Sequence, residues 1–287
     1  KIKMIIWLAS YPKSGNTYLR AFLSAYYHSK DGKFDFSQIE NIKQFPDKQF
    51  FDHKINSAIE ASNQWMPAQR KIIHDKKIRF FKTHSCLGDY KGNVFTSYET
   101  SLGAVYIVRD PRNVFTSIKN HFSYNDDEAL KMIVDKKSYL MAGDGGGFAS
   151  YSFISSWAQN YLSWLRYNKF RRIFIKYEDL LDNKYETFRD IIVFINTLTN
   201  RTDGVDKSKL QKAIETTNFN VLKDKEVSES LGGSDVNFKK WRNFHKENKK
   251  FFFNLGPENK WEKILDENIK KEIEDNFKEE MKALKYI

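Results

Sequence analysis

Apolar and polar positions alternate along the chain in a pattern that predicts buried strands separated by amphipathic helices. Ile2 to Ala9 is a nearly continuous apolar run with a charged start, and from about Thr17 to Tyr27 apolar residues recur at helical spacing. Ile78 to Thr83 reads as a short strand, and Ala104 to Val108 and Arg172 to Lys176 as core strands. Helical periodicity returns from Val114 to Phe122, from Phe153 to Tyr167 (through Trp157, Tyr161, Trp164 and Leu165) and from about Tyr185 to Thr199. The chain closes with one helix that carries Leu265, Ile269, Ile273, Phe277 and Met281 at four-residue spacing, a packing face with a lysine-rich outer side. Ser29 to Lys77 is polar and mixed, with short helical patches such as Ile55 to Ser62, and is placed to cover a sheet edge or wall an acceptor site. Strands that alternate with helices predict an α/β fold, a mostly parallel sheet with helices on both faces. No internal repeat or low-complexity linker interrupts it, so residues 1–287 read as a single domain.

The first strand and helix are joined by Ser10 to Arg20, Ser-Tyr-Pro-Lys-Ser-Gly-Asn-Thr-Tyr-Leu-Arg. Pro12 and Gly15 are turn residues, and Ser14, Asn16 and Thr17 have small polar side chains. A strand, tight turn and helix in that order aim several backbone N–H groups and the positive end of the helix dipole at one point beyond the strand. Lys13 adds a full charge there. This arrangement suits a phosphate or a sulfate. It is not a Walker loop, which places its lysine after the second glycine and follows it with a magnesium-binding hydroxyl.

Composition sharpens the picture. The chain has 287 residues with 48 basic and 37 acidic side chains, a net charge of +11, which points to an anionic partner: nucleic acid, an anionic membrane or an anionic small molecule. Aromatics make up 16% of the residues, enough for a large core and a lined pocket. Cys86 is the only cysteine, so no intrachain disulfide forms and a reducing, cytoplasmic setting is expected. No apolar run approaches the ~20 residues of a membrane span. The first segment reads as a core strand and not as a signal peptide, and the absence of an initial Met is consistent with a trimmed upstream segment.

In doubly wound sheets the carboxyl ends of the strands point into the ligand crevice. His84 follows the strand that ends at Thr83, which sets it on the same edge as Lys13 if the two strands are parallel. Arg109 stands at the next strand end, before Asp110-Pro111, and Ser117 lies two turns into the following helix. A guanidinium and a hydroxyl so placed suit a phosphate. Tyr124 to Tyr151 contains Gly143-Asp144-Gly145-Gly146-Gly147, read as a mobile loop that closes over an acceptor.

Together these motifs resemble the PAPS-dependent sulfotransferases over nearly the whole chain, PAPS being 3′-phosphoadenosine 5′-phosphosulfate. Pro-Lys-Ser-Gly-x-Thr resembles their 5′-phosphosulfate loop. Lys82-Thr83-His84 resembles their Lys-Thr-His, whose histidine is the general base. Arg109 and Ser117 keep the interval of their 3′-phosphate element. Tyr177-Glu178-Asp179 and Thr217-Asn218-Phe219 resemble two segments that border adenine, and Tyr18 stands where the family stacks a tryptophan on the base. Ser156-Trp157 resembles a family helix near the acceptor. The resemblance implies the P-loop-like sulfotransferase fold and sulfuryl transfer from PAPS to a hydroxyl or amine, with release of 3′,5′-ADP and no metal. In that reading His84 is the base, and Lys13 stabilises the leaving phosphate with help from Lys82. Ser14, Gly15, Asn16 and Thr17 hold the 5′-phosphate; Arg109 and Ser117 hold the 3′-phosphate; Tyr18, Tyr177, Thr217 and Phe219 border the base. PAPS carries roughly four negative charges, which a basic protein suits. The acceptor is a small molecule, a glycan or a peptide with a hydroxyl or amine; no nucleic-acid partner is expected.

The chain departs from the family near its end. Aligned on Gly256 and Trp261, Asn254-Leu255 stands where the family has the Arg-Lys that grips the 3′-phosphate. Either Lys249, Lys250 or Arg242 replaces that pair, or the 3′-phosphate is held less firmly. Two other classes remain open. A P-loop kinase would use magnesium and an acidic strand end such as Asp110. A nucleic-acid-binding module would use the basic, aromatic stretch from Lys239 to Phe253.

Overall fold

The computed structural model describes residues 4–141, 147–230, 251, 253 and 256–287. The apolar run at the start forms β1 (Ile5–Ser10), and its turn leads into α1 (Asn16–His28). The mixed segment that follows supplies a two-residue strand, β2 (Lys43–Gln44), and α2 (Ala58–Ile72). This helix is longer than the patch the sequence suggested. Ser57 caps it by accepting from the Glu60 amide, and it runs on through Pro67.

Next come β3 (Arg79–Thr83), a small hairpin of β4 (Asp89–Tyr90) and β5 (Asn93–Val94), and the long β6 (Ser101–Val108). Asp110 caps α3 (Pro111–Phe122), whose first residue is the proline that the first turn of a helix accepts without loss. Then follow α4 (Asp126–Val134), a second hairpin of β7 (Tyr139–Leu140) and β8 (Ser152–Phe153), α5 (Trp157–Arg166) and β9 (Arg171–Lys176). The short α6 (Asp179–Asp182), α7 (Lys184–Thr199), α8 (Lys207–Thr216) and α9 (Phe219–Ser230) complete that half. The closing periodic stretch is two helices and not one: α10 (Glu267–Asn276) and α11 (Lys278–Ala283), which break at Phe277. Phe277 (φ −123°, ψ 19°) leaves helical geometry, and its ring packs on Trp157 at 5.1 Å, so tertiary packing wins over continued periodicity there.

Among the described residues the main sheet has five strands in the order β2-β3-β1-β6-β9, all parallel. β1 lies in the middle and every one of its residues is buried. Ile6 and Leu8 face Leu19, Phe22, Phe188 and Ile192 of the flanking helices on one side. Ile5, Trp7 and Ala9 face Phe81, Phe95, Trp157 and Trp164 on the other. Two apolar faces on one strand require helices on both sides of the sheet. The chain passes from β1 first to β3 and later to β6, on opposite sides of it, which makes the carboxyl end of β1 a topological switch point where crevices form. The register pairs Ala9 with Thr83 and Ser10 with Ile107. The residues just past these strand ends therefore meet on one edge. The glycine-rich 143–146 lies outside the described residues, as do Asn254-Leu255, Lys249, Lys250, Arg242 and most of the basic stretch from Lys239 to Phe253.

Candidate active site

The turn after β1 is held in a conformation few side chains adopt. Lys13 has φ 66° and Gly15 has φ 98°. A lysine in that region is strained, and such strain concentrates at functional loops. Gly15 has a second requirement, because a Cβ there would lie 2.4 Å from the Tyr177 ring. Gly15 is also the N-cap of α1, which has no side-chain cap, whereas Ser57, Asp110 and Ser156 cap their own helices. The first amides of α1 thus remain directed at whatever lies beyond the turn. Among the described residues, the buried Ser14 hydroxyl has no hydrogen-bond partner. Asn16 Nδ2 donates to the Leu8 carbonyl (2.9 Å) and to Ser10 Oγ (3.1 Å), which ties the loop to the strand, while its buried Oδ1 has no partner among the described residues. Part of the Lys13 side chain reaches solvent, yet its ammonium is packed closely enough that burial, with Arg109 adding repulsion, lowers its pKa to about 7 against a smaller opposing pull from Glu226.

His84 stands beside Ser10, one step past the end of β3. Its Nδ1 lies 2.9 Å from the Ser10 carbonyl and 3.2 Å from Ser10 Oγ. A carbonyl only accepts, so Nδ1 carries the proton and Nε2 keeps its lone pair. Burial, then the nearby Lys82, and more weakly Lys13 and His121, hold the imidazole well below its ordinary pKa, with the Ser10 carbonyl opposing them. A neutral base with a fixed tautomer results. The chain around it is pinned by α5, a role the helical periodicity did not reveal. Asn160 Nδ2 donates to the His84 carbonyl (2.9 Å), Trp164 Nε1 to the Ser85 carbonyl (3.1 Å), and Ser163 Oγ accepts from the Leu87 amide (2.8 Å). Trp157 is core and also a support, since its indole N–H donates to the Arg109 carbonyl (3.1 Å). His121, one turn beyond Ser117 on α3, was not singled out from the sequence; a histidine one helical turn after a predicted phosphate contact was the available signal.

Arg109 is buried between the loop and the chain's last third. Its Nη1 donates to the Lys13 carbonyl (3.2 Å), its Nη2 to the Gly256 carbonyl (3.4 Å), and its guanidinium lies 4.3 Å from the centre of the Tyr177 ring. Its buried Nε has no partner among the described residues. Tyr177 therefore sits under both Gly15 and Arg109. Gly256 (φ 50°) is needed where it is, because a Cβ would meet the Phe219 ring at 2.3 Å. The segment that follows docks on α3: Thr116 Oγ1 donates to Asn259 Oδ1 (2.9 Å), Asn259 Nδ2 to the Asn113 carbonyl (3.0 Å), and the Trp261 amide to Asn113 Oδ1 (3.2 Å). Ser117 lies on α3, half-buried, one turn beyond Asn113.

Tyr18, Tyr177 and Phe219 converge on one pocket of about 40 Å³, closed by Leu181, Leu222, Phe253 and Pro257. Thr217 does not join them through its hydroxyl, which donates to the Ala213 carbonyl (2.7 Å) at the end of α8. Asp110 is committed as the α3 cap and as the buried partner of Arg112 (2.7 Å), so it is not the open carboxylate a magnesium ion of a kinase needs. A larger surface groove of about 310 Å³, between Leu87 and α5, is not lined by His84, Arg109 or the residues of the Lys13 loop. A uncapped helix start, an orphaned Ser14 hydroxyl, an orphaned arginine N–H and a neutral imidazole on one sheet edge fit an anionic, phosphate-bearing co-substrate handled by a proton acceptor.

These features define a P-loop-like α/β enzyme that transfers a group from a nucleotide. The model of the sulfotransferase domain matches residues 4–285. The chain belongs to that family, and it is a sulfotransferase that draws on PAPS. No curated protein matches it in sequence. Among solved structures it is similar to retinol dehydratase in complex with androsterone and the inactive cofactor PAP, at 16% identity and a TM-score of 0.56, over 97% of this chain and 80% of that one. A second retinol dehydratase structure, with retinol and PAP, gives 16% identity and a TM-score of 0.53 over 97% and 81%. At that identity the likeness is one of fold. Among the described residues no helix is long and apolar enough to cross a membrane.

Proposed function

We propose that the protein moves a sulfuryl group from PAPS to the hydroxyl or amine of a small acceptor, with His84 as the base. The observation that carries this is the His84 tautomer, fixed by the Ser10 carbonyl so that Nε2 keeps a lone pair on the edge where the Lys13 loop ends. PAPS, when bound, supplies the sulfuryl group and departs as 3′,5′-ADP. The loop amides of Gly15, Asn16 and Thr17 and the Ser14 hydroxyl hold the 5′-phosphate. Arg109 and Ser117 hold the 3′-phosphate, and Tyr18, Tyr177 and Phe219 border the base, with Thr217 supporting them from the end of α8. Lys249 and Lys250 complete the 3′-phosphate clamp in place of the family's Arg-Lys. His84 Nε2 takes the acceptor's proton as its oxygen or nitrogen attacks. Lys13 meets the charge that develops on the leaving phosphate oxygen, where a fixed cation lowers the barrier most, and burial together with Lys82 keeps the imidazole neutral beside it.

A small apolar alcohol or phenol is the favoured acceptor. The androsterone and retinol of the structural neighbours are apolar alcohols. Here the Cys86 amide donates to the Phe153 carbonyl (2.8 Å), which brings the β7–β8 hairpin against the His84 segment, and Tyr90 packs on Phe153 and Tyr151 at 5.1 and 5.3 Å. A cytoplasmic setting, reducing enough for a lone thiol, belongs to the same reading.

The test is thermal denaturation with nucleotides and no magnesium. 3′,5′-ADP should raise the melting temperature more than 5′-ADP or ATP, because a 3′-phosphate site without its phosphate leaves a buried cation unpaired. Equal shifts from all three, or a need for metal, would favour a kinase.

A further inference from the structure

Behind Arg109 lies a partly buried network that includes neither His84 nor Lys13. Arg112 is paired with Asp110 (2.7 Å) and Glu274 (2.6 Å), and its guanidinium lies 3.9 Å from the centre of the Trp261 ring. The Asp110 amide donates to one oxygen of Glu178 (3.1 Å). The other oxygen of Glu178 accepts from the Tyr286 hydroxyl (3.0 Å). The backbone around Tyr286 is held as well: its carbonyl accepts from Arg112 Nη2 (2.8 Å), and the Leu284 carbonyl accepts from Lys176 Nζ (2.9 Å). Lys176 also lies 4.5 Å from the centre of the Tyr286 ring. Residues 284–286 thus bridge the end of β9 and the first turn of α3.

The amide that Glu178 holds belongs to the peptide that joins Arg109 to Asp110. The side-chain contacts of Arg109 itself are long, at 3.2 and 3.4 Å, and both go to backbone carbonyls. What fixes its direction is therefore the single peptide that links it to Asp110, held at both poles: Trp157 donates to its carbonyl and Glu178 accepts from its N–H. Glu178 also follows Tyr177, whose ring lies beneath the guanidinium. We propose that Tyr286 is a positioning residue for the 3′-phosphate contact. Its hydroxyl sets Glu178, Glu178 sets the Asp110 amide, and Arg109 is thereby aimed. The proposal rests on the PAPS reading above.

Tyr286→Phe removes only the hydroxyl and keeps both the ring beside Lys176 and the carbonyl for Arg112. Titration calorimetry with 3′,5′-ADP and with 5′-ADP reads the outcome. The hydroxyl bonds a carboxyl group, so its loss should weaken 3′,5′-ADP by about tenfold and leave 5′-ADP unchanged. Glu178→Ala should show the same selective loss, and Tyr286→Phe added to Glu178→Ala should cost nothing more, because the two act in series. A change confined to stability would weaken both nucleotides alike. That result, an unchanged 3′,5′-ADP affinity, or additive losses would overturn the proposal. If the parent protein itself fails to prefer 3′,5′-ADP over 5′-ADP, the PAPS reading falls, and this one with it.

Discussion

One backbone carbonyl, that of Ser10, decides the tautomer of His84. Because it holds the proton at Nδ1, the lone pair faces away from β1. His84→Ala should cut single-turnover sulfuryl transfer by about 10²–10⁴-fold while 3′,5′-ADP affinity stays near that of the parent. Turnover within a few-fold of the parent would remove His84 from the mechanism. Lys13 poses the opposite titration. With its pKa near 7 in the free protein, an anionic ligand raises it and a proton is taken up on binding. The sign follows: affinity is fullest below pH 7, where Lys13 is already charged, and falls as the pH climbs from 7 toward the raised value in the complex. Calorimetry in buffers of different ionisation enthalpy at pH 7.5 should reveal the uptake, and a pH-independent affinity between 6 and 9 with no proton uptake would contradict it. The loop itself was legible because its chemistry is contiguous. The partners of its side chains were not: that Asn16 would face inward to Leu8 and Ser10, and that the Thr217 hydroxyl would serve α8, depends on where neighbouring carbonyls fall in space.

Helix α5 shows how an element can be recognised and its purpose missed. Its periodic Trp157, Tyr161 and Trp164 mark a packing face, and all are buried. Periodicity carries no information about which carbonyl an indole N–H will meet. Those partners lie 48 and 79 residues away, at the ends of β6 and beyond β3. Asn160 is the most consequential member, fully buried, with its amide nitrogen on the carbonyls of His84 and Ile154 and its oxygen accepting from the Tyr106 hydroxyl (2.8 Å). Asn160→Ala leaves those groups unsatisfied, at about 1–3 kcal/mol for each. The expected result is a clear loss of stability in chemical denaturation, with kcat reduced about tenfold or more and 3′,5′-ADP affinity held. The diagnostic part is the split between kcat and affinity; equal damage to both would mean that Asn160 supports the fold and not His84. α2 and the closing helices were misjudged in length for a related reason. Proline at position 67 and the break at Phe277 are resolved by caps and ring packing rather than by local propensity.

Across the whole molecule, the parallel α/β architecture and the strand-end positions of Lys13, His84 and Arg109 were legible, since long apolar runs followed by helices leave few other arrangements. The tie from residues 284–286 to Glu178 was not, because it joins positions 108 apart through a single hydroxyl. The position of β1 has a further consequence, for synthesis. This strand leaves the ribosome first among the described elements of the sheet, yet its partners among them are Arg79–Thr83 and Ser101–Val108. At 5–20 residues per second it waits roughly 5–20 s for both neighbours. Throughout that interval Ile-Ile-Trp-Leu-Ala is an unpaired, β-prone and uncharged stretch of nascent chain, the kind of segment that chaperones shield and that self-associates when they do not. The Lys13 loop is thus attached to the strand most exposed to misassembly, and the yield of active enzyme depends on how quickly residues 79–108 follow it out.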